Sequence, residues 1–523
     1  MKKNKIKGIM FWVVSSILLI ILLVSIYINK TFSNVTFDQL IYSLKSSVGT
    51  SPEAISGGFK FVFWYYILIL VIIIIIIKFF RRNANKYFIN IYYKNKKYSI
   101  QCYPIKKIYK RIIYILFVIV SIFLSLNNFK VFEYIKFQIS SSKIFEEYYV
   151  DSSKVKIESP ENKKNLIYIY VESLESTNVS KENGGAQEIS YIPELESIAN
   201  DNINFSNTDK IGGALNVYGT GWTAAALVSY TSGTPLKVPI DGNGYDNYGS
   251  FLDGVYSLGE VLESNGYKNY FMLGSDAKFG GRKIYFKSHG NYEIMDYKWA
   301  KKEKLIKKNY KEWWGFEDKK LYEYAKDKLT SISKNDEPFN FTMLTADTHF
   351  VDGYLDKSCD EPFDSQYANV FHCTDRMLGE FINWIKKQDF YDNTVIIIVG
   401  DHLTMQNSFY ENIDYEYTRT VYNAIINSNI ETKNTKNRLF STIDMYPTTL
   451  ASLGFKIKGD RLGLGTNLFS KKQTLIEELG YDYFDDELKK NSKFYNKYIL
   501  GNDYYEMKKT LINSGDINEQ VGK

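Results

Sequence analysis

Three long apolar runs open the chain, and a different rhythm follows them. Gly8–Ile28, Phe61–Ile77 and Ile112–Leu126 carry no charged residue. The first is long enough to cross a bilayer upright, and the others reach ~17–20 residues once Trp, Tyr and Asn at their ends lie in the interface. Spans are therefore expected at about 8–28, 60–77 and 112–128. The first run is too long for the ~7–15-residue core of a signal peptide, and no small-x-small site follows it. After a mixed stretch at 131–160 without sharp periodicity, short apolar runs alternate with amphipathic segments. Leu166–Val171, Tyr270–Leu273, Phe339–Thr345 and Thr394–Val399 read as strands. Leu252–Ser264, Leu321–Ser333 and Met377–Lys387 read as helices. Continuous apolar strands between helices predict an α/β domain whose mainly parallel sheet is buried on both faces. The expected division is a three-helix anchor at 1–130, a membrane-proximal connector at 131–160, the α/β domain at 161–475 and a C-terminal extension at 476–523.

Charge sharpens this picture. The 523 residues carry a formal net charge of +6. Residues 1–130 hold nineteen Lys and Arg against Asp38 and Glu53, a net of +17, so the remainder is net −11. A basic quarter joined to an acidic remainder points to a membrane rather than to nucleic acid. Four Lys precede the first run, and the stretch 78–111 holds eleven Lys and Arg with no acid. The positive-inside bias puts both in the cytoplasm, so three crossings export everything after about Asn127. Of three cysteines, Cys102 falls in the cytoplasmic loop as a free thiol. Cys359 and Cys373 lie 14 apart in the exported part. There a disulfide or two buried thiols both fit, and the lack of CxxC argues against zinc fixation by these residues.

The chemistry sits at strand ends. Glu172 and Ser173 follow the first strand, Asp347, Thr348 and His349 follow the third, and Asp401 and His402 follow the fourth. Ligands of open α/β sheets bind beyond the carboxyl ends of strands. Only four His occur in the chain, and two stand at these ends. Gly219 and Gly221 permit a tight loop before Thr223, which opens a helix. Thr at such a place is either an N-cap or a hydroxyl aimed at an anion held by the helix end. Carboxylate and imidazole groups fit one divalent cation in a phosphoryl-transfer site. Mixed O and N donors suit Mn²⁺, Zn²⁺ or Mg²⁺, and the His shifts the choice away from Mg²⁺. Gly280-Gly281-Arg282-Lys283 offers a guanidinium that can grip two phosphate oxygens.

With these pieces in order the chain resembles the sulfatase-like branch of the alkaline phosphatase superfamily. Within it, it resembles the membrane-bound phosphoglycerol transferases: the lipoteichoic acid synthases and, nearer, the phosphoglycerol transferase I type of osmoregulated periplasmic glucan synthesis. The resemblance rests on IYVESLEST (169–177), GTGWTAA (219–225), FGGRKIYFKSHG (279–290), WGFEDKKLYEYA (314–325), FTMLTADTHFVDGY (341–354), VIIIVGDHLTM (395–405), STIDMYPTTLASLGF (441–455) and RLGLGTNLF (461–469). It implies that Glu172, Thr223, Asp401 and His402 ligate the metal, with Mn²⁺ the expected ion. It makes Thr223 the nucleophile, His349 a contact to the phosphoglycerol that protonates the leaving group, and Arg282 the phosphate arginine. Asp276, in competition with Ser275, is the further substrate-binding position. Cys359 and Cys373 match the paired cysteines of the glucan-type enzymes. The implied reaction moves glycerol phosphate from phosphatidylglycerol, through a covalent threonine intermediate, to a glycan or polyglycerolphosphate acceptor. The place is the outer side of the bacterial cytoplasmic (inner) membrane, where a multi-pass anchor keeps the site beside its lipid donor.

Two readings compete. A phosphoethanolamine transferase would share fold, metal and threonine and differ in its headgroup pocket. A catalytically silent membrane-anchored sensor or scaffold would lack a ligand, yet all four ligand-type residues are present. A sulfatase nucleophile motif, C/S-x-P-x-R, is missing, because Thr223 is followed by three alanines.

Overall fold

The computed structural model of the protein describes residues 2–32, 35–45, 52–83, 86, 88–94, 96–101, 107–237 and 251–501. Cys102 and the part of the C-terminal extension beyond Gly501 lie outside them. The chain divides into two units, residues 1–43 with 50–136 and residues 44–49 with 137–523.

The first unit is built on helices α1 (Lys2–Thr31), α2 (Pro52–Arg82) and α3 (Lys107–Asn128). Within them Ile9–Thr31, Ile55–Arg82 and Ile108–Asn128 are long and apolar enough to cross a membrane. A helix satisfies its own backbone groups, which hydrocarbon cannot do. Gly57 and Gly58 pass against the ring of Tyr27. A Cβ on Gly57 would stand 2.9 Å from the Tyr27 hydroxyl. Small residues of this kind let membrane helices approach closely. Polar ties join the helices too: Ser16 to Tyr66 at 2.8 Å, and Asn128 Nδ2 donating to Ser25 Oγ at 3.1 Å. Between α2 and α3 the chain forms an antiparallel hairpin, β1 (Phe88–Tyr93) with β2 (Lys96–Gln101).

The second unit carries a seven-stranded sheet. Its strands are β3 (Asn165–Val171), β4 (Gly213–Ala214), β5 (Lys268–Leu273), β6 (Glu293–Met295), β7 (Phe339–Leu344), β8 (Thr394–Gly400) and β9 (Val421–Ile426). They lie in the order β4-β9-β8-β3-β7-β5-β6. The run from β8 to β6 is parallel, and β9 is antiparallel to β8. Every residue of β3, β7 and β8 is buried. Such two-sided burial is why these strands read as unbroken apolar runs. Ile167, Ile169 and Val171 share a core with Leu195, Leu321, Phe371 and Ile382. On the other face Tyr168 and Tyr170 stack with ring centroids 4.5 Å apart and meet the edge of Tyr230. The sheet is thus sandwiched between helices.

Some boundaries differ from the sequence reading. The helix expected over 252–264 begins only at Leu258, because Ser257 and Glu260 form a capping box there. Gly254, ahead of the cap, packs against the Tyr498 carbonyl, where a Cβ would stand 1.5 Å away. The helix expected over 377–387 starts eleven residues earlier, at Gln366, after the cap Ser365. From Phe137 onward the stretch read as a connector belongs to the second unit. Phe145, in helix α4 (Ile144–Tyr148), is fully buried, and Ile157–Glu158 pair with Lys456–Ile457. The residues from Leu475 to Gly501 pack as well, burying Phe484, Leu488 and Tyr495.

Candidate active site

Register brings the three strand ends together. β3 lies between β7 and β8, with Val171 beside Gly400 and Tyr170 beside Leu344. The next residues of two adjacent parallel strands, Glu172 and Asp401, therefore emerge side by side. Ser173, held at φ 56°, donates its N–H to Asp401 Oδ1 at 2.7 Å and its hydroxyl to Glu172 Oε1 at 3.1 Å. Gly400 is required here, since a Cβ would meet the Leu174 carbonyl at 1.9 Å.

Thr223 arrives from helix α5 (Thr223–Ser232). It is the first helical residue, the cap position being Trp222, and its side chain makes no capping bond. Its hydroxyl instead lies 3.2 Å from Glu172 Oε2 and 3.5 Å from His402 Nε2. The loop before it turns at Gly219, whose φ is 78° and whose Cβ would press on Pro235 at 2.8 Å. Further along α5, Tyr230 donates to the carbonyl of Gly400 at 2.7 Å. The helix carrying the hydroxyl is thereby tied to the strand carrying Asp401.

Glu172, Asp401 and His402 are buried and offer ligand atoms within 4.8 Å of one another. His402 Nε2 stands 3.3 Å from Glu172 Oε1 and 3.4 Å from Asp401 Oδ2. His402 Nδ1 is 2.8 Å from the Leu403 carbonyl, so it carries a proton and turns Nε2 toward the cluster. Burial pushes Asp401 up to about 8, and the charge of Glu172 adds to it. Burial opposes a charged His402, yet Asp401 and Glu172 raise it to about 10. Glu172 ends well below the usual carboxylate range, because His402 overcomes burial. A buried cluster of two carboxylates thus binds a positive charge. Asp401 Oδ2 is buried and hydrogen-bonded to nothing among the described residues. An orphaned carboxylate oxygen, an imidazole lone pair and a neighbouring hydroxyl fit a divalent cation with mixed O and N donors.

The DTH segment divides by role. Thr348 donates its hydroxyl to the Glu172 carbonyl, and Thr345 Oγ1 accepts the Glu172 N–H at 3.1 Å. Asp347 turns away from the cluster. It accepts the N–H of Asp318 at 3.1 Å, while Asp318 accepts those of Ala346 and Asp347, each at 2.8 Å. Asp318 opens helix α6 (Asp318–Ile332), so this reciprocal pair pins the loop after β7 to a helix start. Burial raises both carboxyls, Asp318 to about 7. His349 Nδ1 is 2.7 Å from the Phe350 carbonyl, which leaves Nε2 as its open position. Burial holds His349 below the usual imidazole range, against the pull of Glu172.

Arg282 is buried with its guanidinium 5.3 Å from the centre of the Phe279 ring. It donates to the carbonyls of Phe279 and Asp276 at 2.9 Å and to Ser275 Oγ at 3.2 Å. Of the two residues competing beside it, Ser275 brings its side chain and Asp276 its carbonyl. The Asp276 carboxylate pairs with Lys298 at 2.6 Å. Cys359 and Cys373 are joined by a disulfide that ties the loop after His349 to helix α7 (Gln366–Ile385).

Residues outside the sequence reading also shape the site. Glu175, fully buried, accepts the Thr404 N–H at 2.8 Å and receives a two-pronged bond from Arg419. Trp313 donates to the Ala346 carbonyl at 2.8 Å, and Trp314 lies with its ring centre 4.7 Å from that of His349. Both Trp belong to the quoted WGFED region or its edge, yet nothing local tells that their loop reaches the end of β7.

Residues 164–455 match the family model described as sulfatase. Phosphoglycerol transferase I of Escherichia coli strain 55989 is 31% identical over 333 residues, covering 62% of this chain and 41% of that protein. The chain thus matches about two fifths of the length of this curated relative. Among solved structures, the lipoteichoic acid synthase LtaP of Listeria monocytogenes matches at 21% identity and TM-score 0.49, over 63% of this chain and 82% of that one. The lipooligosaccharide phosphoethanolamine transferase A of Neisseria meningitidis, an integral membrane protein, matches at 14% identity and TM-score 0.49, over 84% and 83%. With its family region spanning more than half of its length and enclosing the Glu172–Thr223–Asp401–His402 cluster, the chain belongs to the sulfatase family.

Proposed function

We propose that this protein is a metal-dependent phosphotransferase that moves glycerol phosphate from phosphatidylglycerol to a glycan or polyglycerolphosphate acceptor at the outer face of a bacterial cytoplasmic membrane. The observation that carries this reading is the hydroxyl of Thr223, delivered by the start of α5 to within 3.2 Å of Glu172 and 3.5 Å of His402 rather than spent as a cap. The 31% identity to a phosphoglycerol transferase supports the donor class. The +17 charge of the helical anchor supports the orientation.

Glu172, Thr223, Asp401 and His402 would hold a divalent cation, Mn²⁺ in our reading, which would supply Lewis acidity to stabilise an ionised Thr223 and the phosphate charge. Thr223 Oγ1 attacks the phosphorus of the donor. The new Oγ–P bond forms as the bond to the diacylglycerol oxygen breaks, and that oxygen takes a proton from His349 Nε2. The fixed Nδ1–H···O=C bond to Phe350 keeps Nε2 the transferring atom. Burial lowers the proton affinity of His349, and the anionic diester beside it raises it. Arg282 grips a non-bridging oxygen. In the second half the acceptor hydroxyl attacks the same phosphorus, its proton returns to His349 Nε2, and Thr223 is released. Covalent catalysis splits one displacement into two that use the same groups.

The test incubates the full chain in detergent with Mn²⁺ and fluorescent phosphatidylglycerol or phosphatidylethanolamine. Diacylglycerol release from the first, abolished by Thr223→Ala, is expected. Release from the ethanolamine lipid alone would overturn the donor assignment.

A further inference from the structure

Beside His349, one hydrogen-bond donor has no use among the described residues. Trp314 Nε1 is buried and has no hydrogen-bond partner among the described residues. An indole N–H is a donor only, and leaving one unmet inside a protein is costly. The ring is held in place from several sides. Glu312 and Gly315 exchange backbone bonds at 3.0 and 2.8 Å, closing a turn with Trp313 at φ 50°. A positive φ is unusual for so bulky a residue, and such strain gathers at functional sites. Gly315 bridges to Ser275, and Phe316 N–H donates to Gly274 O at 3.1 Å. The turn is therefore stitched to the segment that supplies the Ser275 partner of Arg282. Two rings flank Trp314: Phe279 is near-parallel with centroids 6.4 Å apart and 20° between planes, and His349 lies at 4.7 Å, tilted by 60°.

We infer that Trp314 binds the headgroup of the lipid donor. Its Nε1–H donates to a headgroup hydroxyl beside His349. The assignment rests on the reading of the site given above and adds its selectivity. A hydroxyl accepts as well as donates, so it satisfies an indole N–H. An ammonium only donates, so it sets donor against donor at Trp314. Trp314 and His349 are both partly exposed, so a ligand in the site can reach the pair.

The test uses the full chain in detergent with Mn²⁺, made unable to turn over by Thr223→Ala. Calorimetry compares binding of glycerol 1-phosphate, propyl phosphate and ethanolamine phosphate. Glycerol 1-phosphate should bind about fivefold to tenfold tighter than propyl phosphate, one hydrogen bond's worth. Adding Trp314→Phe should erase that preference while leaving propyl phosphate within about twofold of its former affinity. Retained propyl phosphate binding shows that the variant is folded. Equal loss for both ligands, or a preference that survives Trp314→Phe, would overturn the assignment. So would a Thr223→Ala protein that does not distinguish glycerol 1-phosphate from propyl phosphate, even if the wild type releases diacylglycerol. Glycerol 1-phosphate preference abolished by Trp314→Phe, in a chain that releases no diacylglycerol, would instead sustain Trp314 and overturn the reaction.

Discussion

Replacing Arg419 alone should do more damage than replacing Arg419 and Glu175 together. Glu175 is fully buried and lies 244 residues from its partner in sequence. Its carboxylate takes a bond from Arg419 Nε at 2.8 Å, a second from Nη2, one from the Thr404 N–H at 2.8 Å and one from the Thr177 hydroxyl at 2.7 Å. Arg419 also donates to the Thr404 carbonyl at 3.1 Å. Together they clamp the turn directly after His402. Arg419→Met leaves a buried carboxylate uncompensated, which costs about 3–5 kcal/mol when both charges are enclosed. The Arg419 side chain is 19% exposed against 0% for Glu175, so water reaches the cation side and the lower figure, about 3 kcal/mol, applies. Glu175→Gln combined with Arg419→Met removes the stranded charge and should recover most of that loss. Urea unfolding followed by tyrosine and tryptophan fluorescence measures both variants. With the clamp gone, affinity for Mn²⁺ should fall about tenfold or more in each, because support of a ligand loop is lost. A single variant no less stable than the double one, or one within about 1 kcal/mol of wild type, would refute the reasoning.

Two further outcomes follow from the same structure. Removing the bridge by Cys359→Ala with Cys373→Ala frees a loop with a separation of 14 and should lower stability by about 3 kcal/mol, seen as a shifted urea midpoint that reductant no longer changes. Burial raises Asp375 to about 7 and Asp444 to about 6, whereas both drop to the ordinary Asp value when unfolded. The folded state then holds protons that the unfolded chain has released between about pH 4 and 7, so these two groups make stability fall as pH rises through that window. Melting temperature against pH checks the sign, and a rise attributable to these carboxyls, absent in Asp375→Asn and Asp444→Asn, would contradict it.

The strand ends were legible because the sheet is buried on both faces. A strand without a polar face shows as an apolar run, and the first polar residue after it marks the end of the sheet. That logic placed Glu172, His349, Asp401 and His402 correctly at strand ends. It could not say which way each side chain turns. Asp347 stands within the same short run as His349, yet it faces the start of α6 and not the cluster. The same limit applies to Asp276 and Ser275, one residue apart, where an ion pair to Lys298 draws the carboxylate off Arg282. β9 was not anticipated, since Val421–Ile426 contains Asn423, whose side chain is spent on the Phe205 backbone. Glu175–Arg419 and the Trp313–Trp314 turn were beyond reach for another reason. Their partners are distant in sequence, and only the completed fold brings them to the ends of β8 and β7.

The central claim is that Thr223 carries the transferred group. Wild-type protein mixed with phosphatidylglycerol and Mn²⁺, quenched in acid and digested, can be read by peptide mass spectrometry. The account predicts one glycerophosphoryl group on Thr223, missing from Thr223→Ala and discharged when an acceptor glycan is added before the quench. Diacylglycerol release that persists in Thr223→Ala, or an adduct on another residue, would contradict it.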